Sequence, residues 1–266
     1  MNSDSVSVLI IGIDSQIGDY LSTSLAQQGH VVTGSSRRIV ANERQQKDSI
    51  FIDLNLNSLE LPNKQFDVAI ICAGMNMAMC KEYPVDSERI NVKNTIQLID
   101  MLLSKGIHVI FLSSNSVFNG SKAFYKYTDF ASPTSNYGMY KLQVEEFLQT
   151  NERNASILRL TKVLTPKSSF TTMWEKYISE GKRFDIFNNH FLSPVSMDAV
   201  AKAVALLIEK KKGGIYQLSG EQEISYFDFA QKYFAGNVEA LNLIEEQVDW
   251  NQPTGKHNSL EIHLPD

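Results

Sequence analysis

The sequence predicts an α/β protein built on a doubly wound parallel sheet, with a small C-terminal lobe packed against it. Three observations carry that reading. In the first half, short β-branched runs alternate with longer amphipathic segments, the βαβ rhythm that yields a parallel sheet with helices on both faces. A glycine-bearing turn follows the first of those runs directly, where a strand hands over to a helix. After Pro166 the rhythm loosens, yet no Pro/Gly/Ser-rich linker intervenes, which favours a lobe packed on the sheet over a detached domain.

Taken in order, strands are expected at 6–11, 31–34, 50–52, 67–72, 107–112 and 156–160. Helical periodicity fits 16–28, with Ile17, Leu21 and Leu25 on one face, and 86–104, with Ile90, Ile96, Leu98 and Leu102 apolar. Right-handed crossovers between the strands then produce the doubly wound arrangement. Beyond Pro166, 170–180, 197–210 and 225–235 read as helices, and 184–187 and 214–218 as short strands. The last stretch, 251–266, is polar with little periodicity and reads as loop or flexible tail.

Composition narrows the function classes. The chain has 266 residues, 43% of them hydrophobic, enough for one large core or two modest ones. No uninterrupted apolar run approaches the roughly 20 residues of a membrane span. Met1-Asn2-Ser3-Asp4-Ser5 lacks the basic and apolar regions of a secretory signal, so a cytoplasmic protein without membrane contact is expected. Cys72 and Cys80 are too few for a disulfide framework, and the five histidines lack metal-ligand spacing, so no metal site is expected. A net charge of −5 with scattered Lys and Arg argues against a nucleic-acid groove.

The turn after the first strand reads Gly12-Ile13-Asp14-Ser15-Gln16-Ile17-Gly18. It would aim the N–H groups of a helix start at a diphosphate, with glycine where backbone and phosphate approach closely. The same turn also arises for purely steric reasons. Ser15 could donate its hydroxyl to the phosphates, and Asp14 could cap the helix and point away. The second strand ends in Gly34-Ser35-Ser36-Arg37-Arg38, where a dinucleotide's adenosine ribose would lie. An acidic residue there binds a ribose 2′-hydroxyl, whereas arginine suits a 2′-phosphate, which favours NADP over NAD unless Arg37 and Arg38 are ordinary surface charges. Asp53-Leu54 after the third strand and Ala73-Gly74 after the fourth complete a row along the carboxyl ends of the strands.

Catalytic candidates follow the fifth strand. Phe111-Leu112-Ser113-Ser114-Asn115-Ser116 leads, 23 positions after Ser114, to Tyr137-Gly138-Met139-Tyr140-Lys141. Residues four apart share a helix face, so Tyr137 and Lys141 can address one cofactor. A free phenol, with a pKa of about 10, exchanges protons poorly near neutrality, and a nearby ammonium would lower it. Tyr137 is then general acid in carbonyl reduction, Lys141 its electrostatic partner and holder of the nicotinamide ribose, and Ser114 a donor to the substrate oxygen. Tyr140 is the competing tyrosine, but no lysine stands four positions beyond it.

These motifs, with Asn91-Val92, Val117-Phe118-Asn119-Gly120, Leu158-Arg159-Leu160, Ser193-Pro194-Val195 with Asp198, residues 214–220, Gln252-Pro253 and Asn258-Ser259-Leu260, resemble the extended short-chain dehydrogenase/reductases. The resemblance is strongest to their dTDP-4-dehydrorhamnose reductase-like branch, which acts on nucleotide sugars, and it runs over nearly the whole chain. It implies a Rossmann-type NAD(P)-binding domain over 1–165 and a substrate-binding lobe over 166–266 that does not fold independently. It also implies Ser114, Tyr137 and Lys141 as catalytic triad, Asn91 as a supporting residue, and a homodimer through the helices at 86–104 and 137–150. Departures from the branch select among reactions. The Asp-Glu pair of the 4,6-dehydratases is replaced by Asn115-Ser116, which cannot serve as acid and base, and no cysteine of the epimerase/reductase type stands there. Lys162 and Ser116 replace usual aromatic residues where substrate would be met, which points away from dTDP-4-dehydrorhamnose itself. The expectation is an NADP-dependent reductase of a keto-sugar nucleotide. Its rivals are a 4-epimerase that keeps NAD bound and a non-catalytic regulatory homologue.

Overall fold

The computed structural model describes residues 5–38, 49–56, 58–150, 154–165, 168–247 and 255–266. Strands β1 (Ser7–Ile11), β2 (Val31–Ser36), β3 (Ser49–Phe51), β4 (Val68–Ile71), β5 (His108–Ser114) and β6 (Ala155–Leu160) follow the expected rhythm. Short strands β7 (Val163–Leu164), β8 (Phe184–Phe187), β9 (Phe191–Leu192) and β10 (Val195–Ser196) come next, then β11 (Gly214–Leu218), β12 (Ile224–Ser225) and β13 (Ile244–Gln247). Seven strands form one parallel sheet in the order β11-β6-β5-β4-β1-β2-β3. The chain starts in the middle and winds outward in both directions, so the switch of direction falls between β1 and β4. In such sheets a ligand lies across the strand ends at that point.

Alternation along β1 shows how the sheet is covered. Val8 and Ile10 enter one core layer with Leu21 and Leu25 of α1 (Gln16–Gln27), while Leu9 and Ile11 enter the other with Leu98, Ile99 and Leu102. Every one of these side chains is at most 1% exposed, as a central strand covered on both faces requires. The second half of the chain shares in this core. β11 pairs with β6, and Val200, Val204, Leu207 and Ile208 of a long helix in 197–210 close the same layer as α1. Residues 168–192 and 223–247 build a separate aromatic cluster around Trp174, Phe170, Tyr226 and Phe234.

One expectation is refined and one needs correction. The helix foreseen over 86–104 is present but carries a π-helical turn: after α2 (Met77–Glu82), α3 (Pro84–Glu88), the π turn Arg89–Asn94 and α4 (Thr95–Ser104) follow one another without a break. The described part of the expected tail, 255–266, is docked. Ser259 and Leu260 are 1% exposed, Leu260 bridges to Tyr125, and His263 bridges to Gln217 and stacks on Tyr127 with ring centroids 3.9 Å apart. Irregular backbone concealed this, because its hydrogen bonds run to distant partners and leave no periodicity. Gln252-Pro253 lie outside the described residues. The remaining helices are α5 (Asn136–Gln149), α6 (Ser169–Ser179), α7 (Met197–Lys210), α8 (Tyr226–Tyr233) and α9 (Val238–Leu243). Among the described residues no helix is long and apolar enough to cross a membrane.

Candidate active site

The turn between β1 and α1 is shaped by what glycine lacks. Gly12 has φ +86°, and a Cβ there would sit 2.8 Å from the backbone of Ala73 at the end of β4. A Cβ on Gly18 would meet the Gly12 carbonyl at 2.4 Å, so the first turn of α1 can press against the loop only as glycine. Ser15 is the helix cap: its Oγ accepts from the Gly18 N–H at 3.0 Å and donates to the Gly12 carbonyl at 2.8 Å. That corrects the use weighed for Asp14, which accepts from Ser36 Oγ at 2.6 Å and does not cap the helix. Ile17 packs on the core. At positions 15–18 it is therefore the backbone at the positive end of α1 that suits a diphosphate. The space beside Gly12 is taken by Ala73, so what suits such a group is the N-terminal end of α1 that this close packing sets at the strand ends.

Along the neighbouring strand ends, Arg37 is exposed just beyond β2, Leu54 is buried, and Asp53 Oδ1 accepts the Asn55 N–H at 2.9 Å. The π-helical turn explains the position of these loops. Asn91 Oδ1 accepts from Met75 N at 2.7 Å, and its Nδ2 donates to Met75 O at 2.9 Å and to Cys80 Sγ at 3.3 Å. Asn94 Nδ2 donates to the carbonyls of Leu54 and Leu56 at 2.8 and 2.9 Å. One buried turn thus clamps the loop after β4, next to Ala73 and Gly74, and the loop after β3. Asn91, with both amide hydrogens and one acceptor position engaged, shapes that loop. A one-residue π insertion commonly marks a functional site in this way.

The structure brings Ser114, Tyr137 and Lys141 together. Ser114 ends β5, and its Oγ meets Asn115 Oδ1 at 3.2 Å and Ser116 Oγ at 3.1 Å. α5 starts at its cap Ser135 and passes so close that a Cβ on Gly138 would lie 2.0 Å from the Ser116 carbonyl. Gly138, which the sequence reading did not single out, is what lets Tyr137 reach Ser114. Lys141 Nζ donates to the Leu112 carbonyl at 2.8 Å and lies 4.6 Å from the Phe111 ring centroid and 5.7 Å from that of Tyr137. Burial pushes the Tyr137 phenol up to about 12, with Cys80 adding to the rise and the neighbouring Ser114 hydroxyl opposing it. The expected lowering by Lys141 is therefore not the dominant influence. Burial also brings Lys141 down to about 8. Tyr140 is the structural tyrosine of the pair: it is buried, and its hydroxyl donates to the Pro84 carbonyl at 3.0 Å.

Beneath this corner lies a buried polar layer that no short motif announces. The Arg159 guanidinium meets both Glu145 oxygens at 2.7–3.1 Å, the Tyr127 carbonyl at 3.3 Å and Gln217 Oε1 at 3.4 Å. Ser113 Oγ donates to the same carboxylate. Glu145 follows Lys141 by one helical turn, so a single face of α5 carries Lys141 to the site and Glu145 to the layer below it. A separate open depression of about 710 Å³ on the lobe is lined by Glu221, Glu223 and Asp228 and contains none of the three catalytic candidates. Its carboxylates make it a poor host for a diphosphate.

A doubly wound sheet with a glycine turn at its switch point, and with Ser, Tyr and Lys converging beyond β5, is the architecture of NAD(P)-dependent oxidoreductases of the extended short-chain dehydrogenase/reductase type. Within that type the chain belongs to the RmlD substrate binding domain family, whose model matches residues 6–249. It is 28% identical over 243 residues to a bifunctional dTDP-4-dehydrorhamnose 3,5-epimerase/dTDP-4-dehydrorhamnose reductase of Arabidopsis thaliana, covering 87% of this chain and 76% of the relative. It is 22% identical over 236 residues to methionine adenosyltransferase 2 subunit beta of Pongo abelii, covering 84% and 70%. In fold it matches a dTDP-4-dehydrorhamnose reductase of Bacillus anthracis in complex with NADP, with TM-score 0.79, 16% identity and coverage of 98% and 91%.

Proposed function

We propose that the protein is an NADP-dependent reductase of a keto-sugar nucleotide, with Tyr137 as proton donor, Lys141 as its electrostatic partner and Ser114 as the group that orients the carbonyl. The observation that carries this reading is the corner itself: a phenol held protonated by burial, with the Ser114 hydroxyl beside it and an ammonium over its ring. When bound, the nicotinamide supplies hydride to the carbonyl carbon. Negative charge then grows on the substrate oxygen, where Ser114 donates a hydrogen bond and Tyr137 gives up its proton. The Lys141 ammonium stabilises the phenolate left behind and donates to ribose hydroxyls. Gly12, Ser15, Gln16, Ile17 and Gly18 hold the diphosphate through the loop backbone. Arg37 meets the 2′-phosphate, and Asp53, Leu54, Ala73 and Gly74 receive the adenine side. Residues 1–165 form the cofactor domain together with α7 and β11, which the expected boundary at 166 places in the lobe, and the segments 168–192 and 223–247 close over the sugar.

The reductase named among the relatives supports this direction of chemistry. The test is to mix the purified protein with NADPH and a panel of keto-sugar nucleotides. A reductase consumes NADPH in step with substrate. A 4-epimerase interconverts sugars with no net consumption, and binding of neither NADPH nor NADP would overturn the enzyme reading. A regulatory role is the second reading, favoured by the relative named as a subunit of another enzyme. It predicts NADP binding without turnover of any member of the panel.

A further inference from the structure

From Ser114 a continuous wall runs into the lobe. Asn115, the first neighbour of Ser114, donates from Nδ2 to Asn258 Oδ1 at 2.9 Å. Asn258 Nδ2 lies 3.2 Å from His190 Nε2, and the His190 ring stacks on Tyr226 at 4.8 Å. Tyr226 packs edge-on against Phe170, and above the Phe170 ring, 4.7 Å from its centroid, stands the ammonium of Lys162. Lys162 follows β6, the strand that pairs with β5 at Ser114↔Leu160. Its backbone is fixed, since its carbonyl accepts the Val195 N–H at 2.9 Å and the preceding Thr161 Oγ1 donates to the Ser193 carbonyl at 2.5 Å.

Among the described residues no carboxylate pairs with Lys162, and the face of Phe170 is the partner of its ammonium. Glu223, which holds Asn258 of the wall, is occupied by the Asn258 and Ser259 N–H groups, the Ser259 hydroxyl and His257. His190 adds no positive charge, because burial takes it down to about 4. Lys162 is partly withdrawn from water, and a ring face alone repays only part of what that costs an ammonium. Burial accordingly holds the Lys162 amine below its ordinary value. A ligand anion would offset that cost.

We propose that Lys162 binds an anionic oxygen of the substrate, supplied either by the diphosphate attached to the sugar or by a carboxylate on the sugar itself. The assignment rests on the keto-sugar nucleotide reading above and extends it to what the site selects.

The test is calorimetric titration of the whole protein, saturated with NADP, with UDP, UDP-glucose and UDP-glucuronic acid and with dTDP and dTDP-glucose alongside. Wild type is compared with Lys162→Met, which keeps the stem over Phe170, and with Lys162→Arg, which keeps the charge. The Met variant should weaken the recognised probes by about 10- to 100-fold, the range of a hydrogen bond to a charged group. The Arg variant should stay within about threefold of wild type on the same scale. Uniform weakening identifies the diphosphate as the anion, and weakening confined to UDP-glucuronic acid identifies the carboxylate. Unchanged affinities for every probe bound by wild type would overturn the assignment and leave the nucleotide-sugar reading intact. Wild-type protein that binds NADP but none of the probes would overturn that reading and this one with it. Melting temperature is the second readout: Lys162→Met should hold or raise it, and a fall would show that the ammonium is structural.

Discussion

Arg159 and Lys162 stand three residues apart at the end of one strand, yet they belong to regions built on opposite rules. The layer under the sheet end is saturated: the Arg159 guanidinium meets Glu145, Gln217 and the Tyr127 carbonyl, and Glu145 also takes the Ser113 hydroxyl. One layer up, Lys141 and Lys162 have a carbonyl and ring faces as neighbours, and among the described residues neither has a salt-bridging carboxylate. A buried cation that is fully paired is scaffold, because removing either partner strands the other. One left without an anion is poised for a ligand. The contrast separates the residues that hold the corner in shape from those that do its chemistry, and mutations should break the two regions in different ways.

The largest expected effect is on chemistry without stability. Tyr137→Phe should lower kcat about 10³-fold, within the range of general acid catalysis, while NADPH affinity and melting temperature hold; steady-state kinetics and a thermal melt check both. Glu145→Ala should do the reverse, costing about 3–5 kcal/mol of stability in denaturant unfolding by leaving Arg159 buried and uncompensated. Its turnover per folded molecule should stay close to wild type.

The pH profile separates the regions next. Burial disfavours the charged form of Lys141, so its ammonium is lost as pH rises through about 8, well below the ordinary lysine value. Tyr137, at about 12, stays protonated over that range and cannot produce the same limb. kcat/KM for NADPH should therefore fall by one proton above pH about 8, and Lys141→Arg should remove that limb. A limb that survives the substitution would assign it elsewhere. Smallest is Arg37→Ala, expected to weaken NADPH about tenfold with little change for NADH, in keeping with loss of a charge-assisted phosphate contact. Equal losses for both would remove Arg37 from the 2′-phosphate.

The sheet was legible because its signals are local. Runs such as Val8–Ile11 are apolar without alternation, as strands covered on both faces must be, and helices such as α7 repeat every turn. Tyr137 and Lys141 were also legible as a pair, since four residues on a helix are near neighbours. What the sequence hid depends on distant partners. Glu145 reads as one more charge on an amphipathic helix until β6 brings Arg159 against it. Gly138 matters only because the Ser116 carbonyl arrives from another element. Asn91 and Asn94 did leave a trace, as polar residues in the apolar stripe of the expected helix 86–104, where the π turn now lies. Asn258 carried no local sign of its role in the wall beyond Ser114, because its partners Asn115 and His190 lie far away in sequence.

The most direct experiment follows the hydride. NADPH deuterated at the transferable position of the nicotinamide is mixed with a keto-sugar nucleotide the protein consumes, and the sugar product is weighed by mass spectrometry. A reductase built on Tyr137 and Lys141 gives a product carrying one deuterium, formed at a rate that collapses in Tyr137→Phe. A product without deuterium, or a rate indifferent to Tyr137, would contradict it.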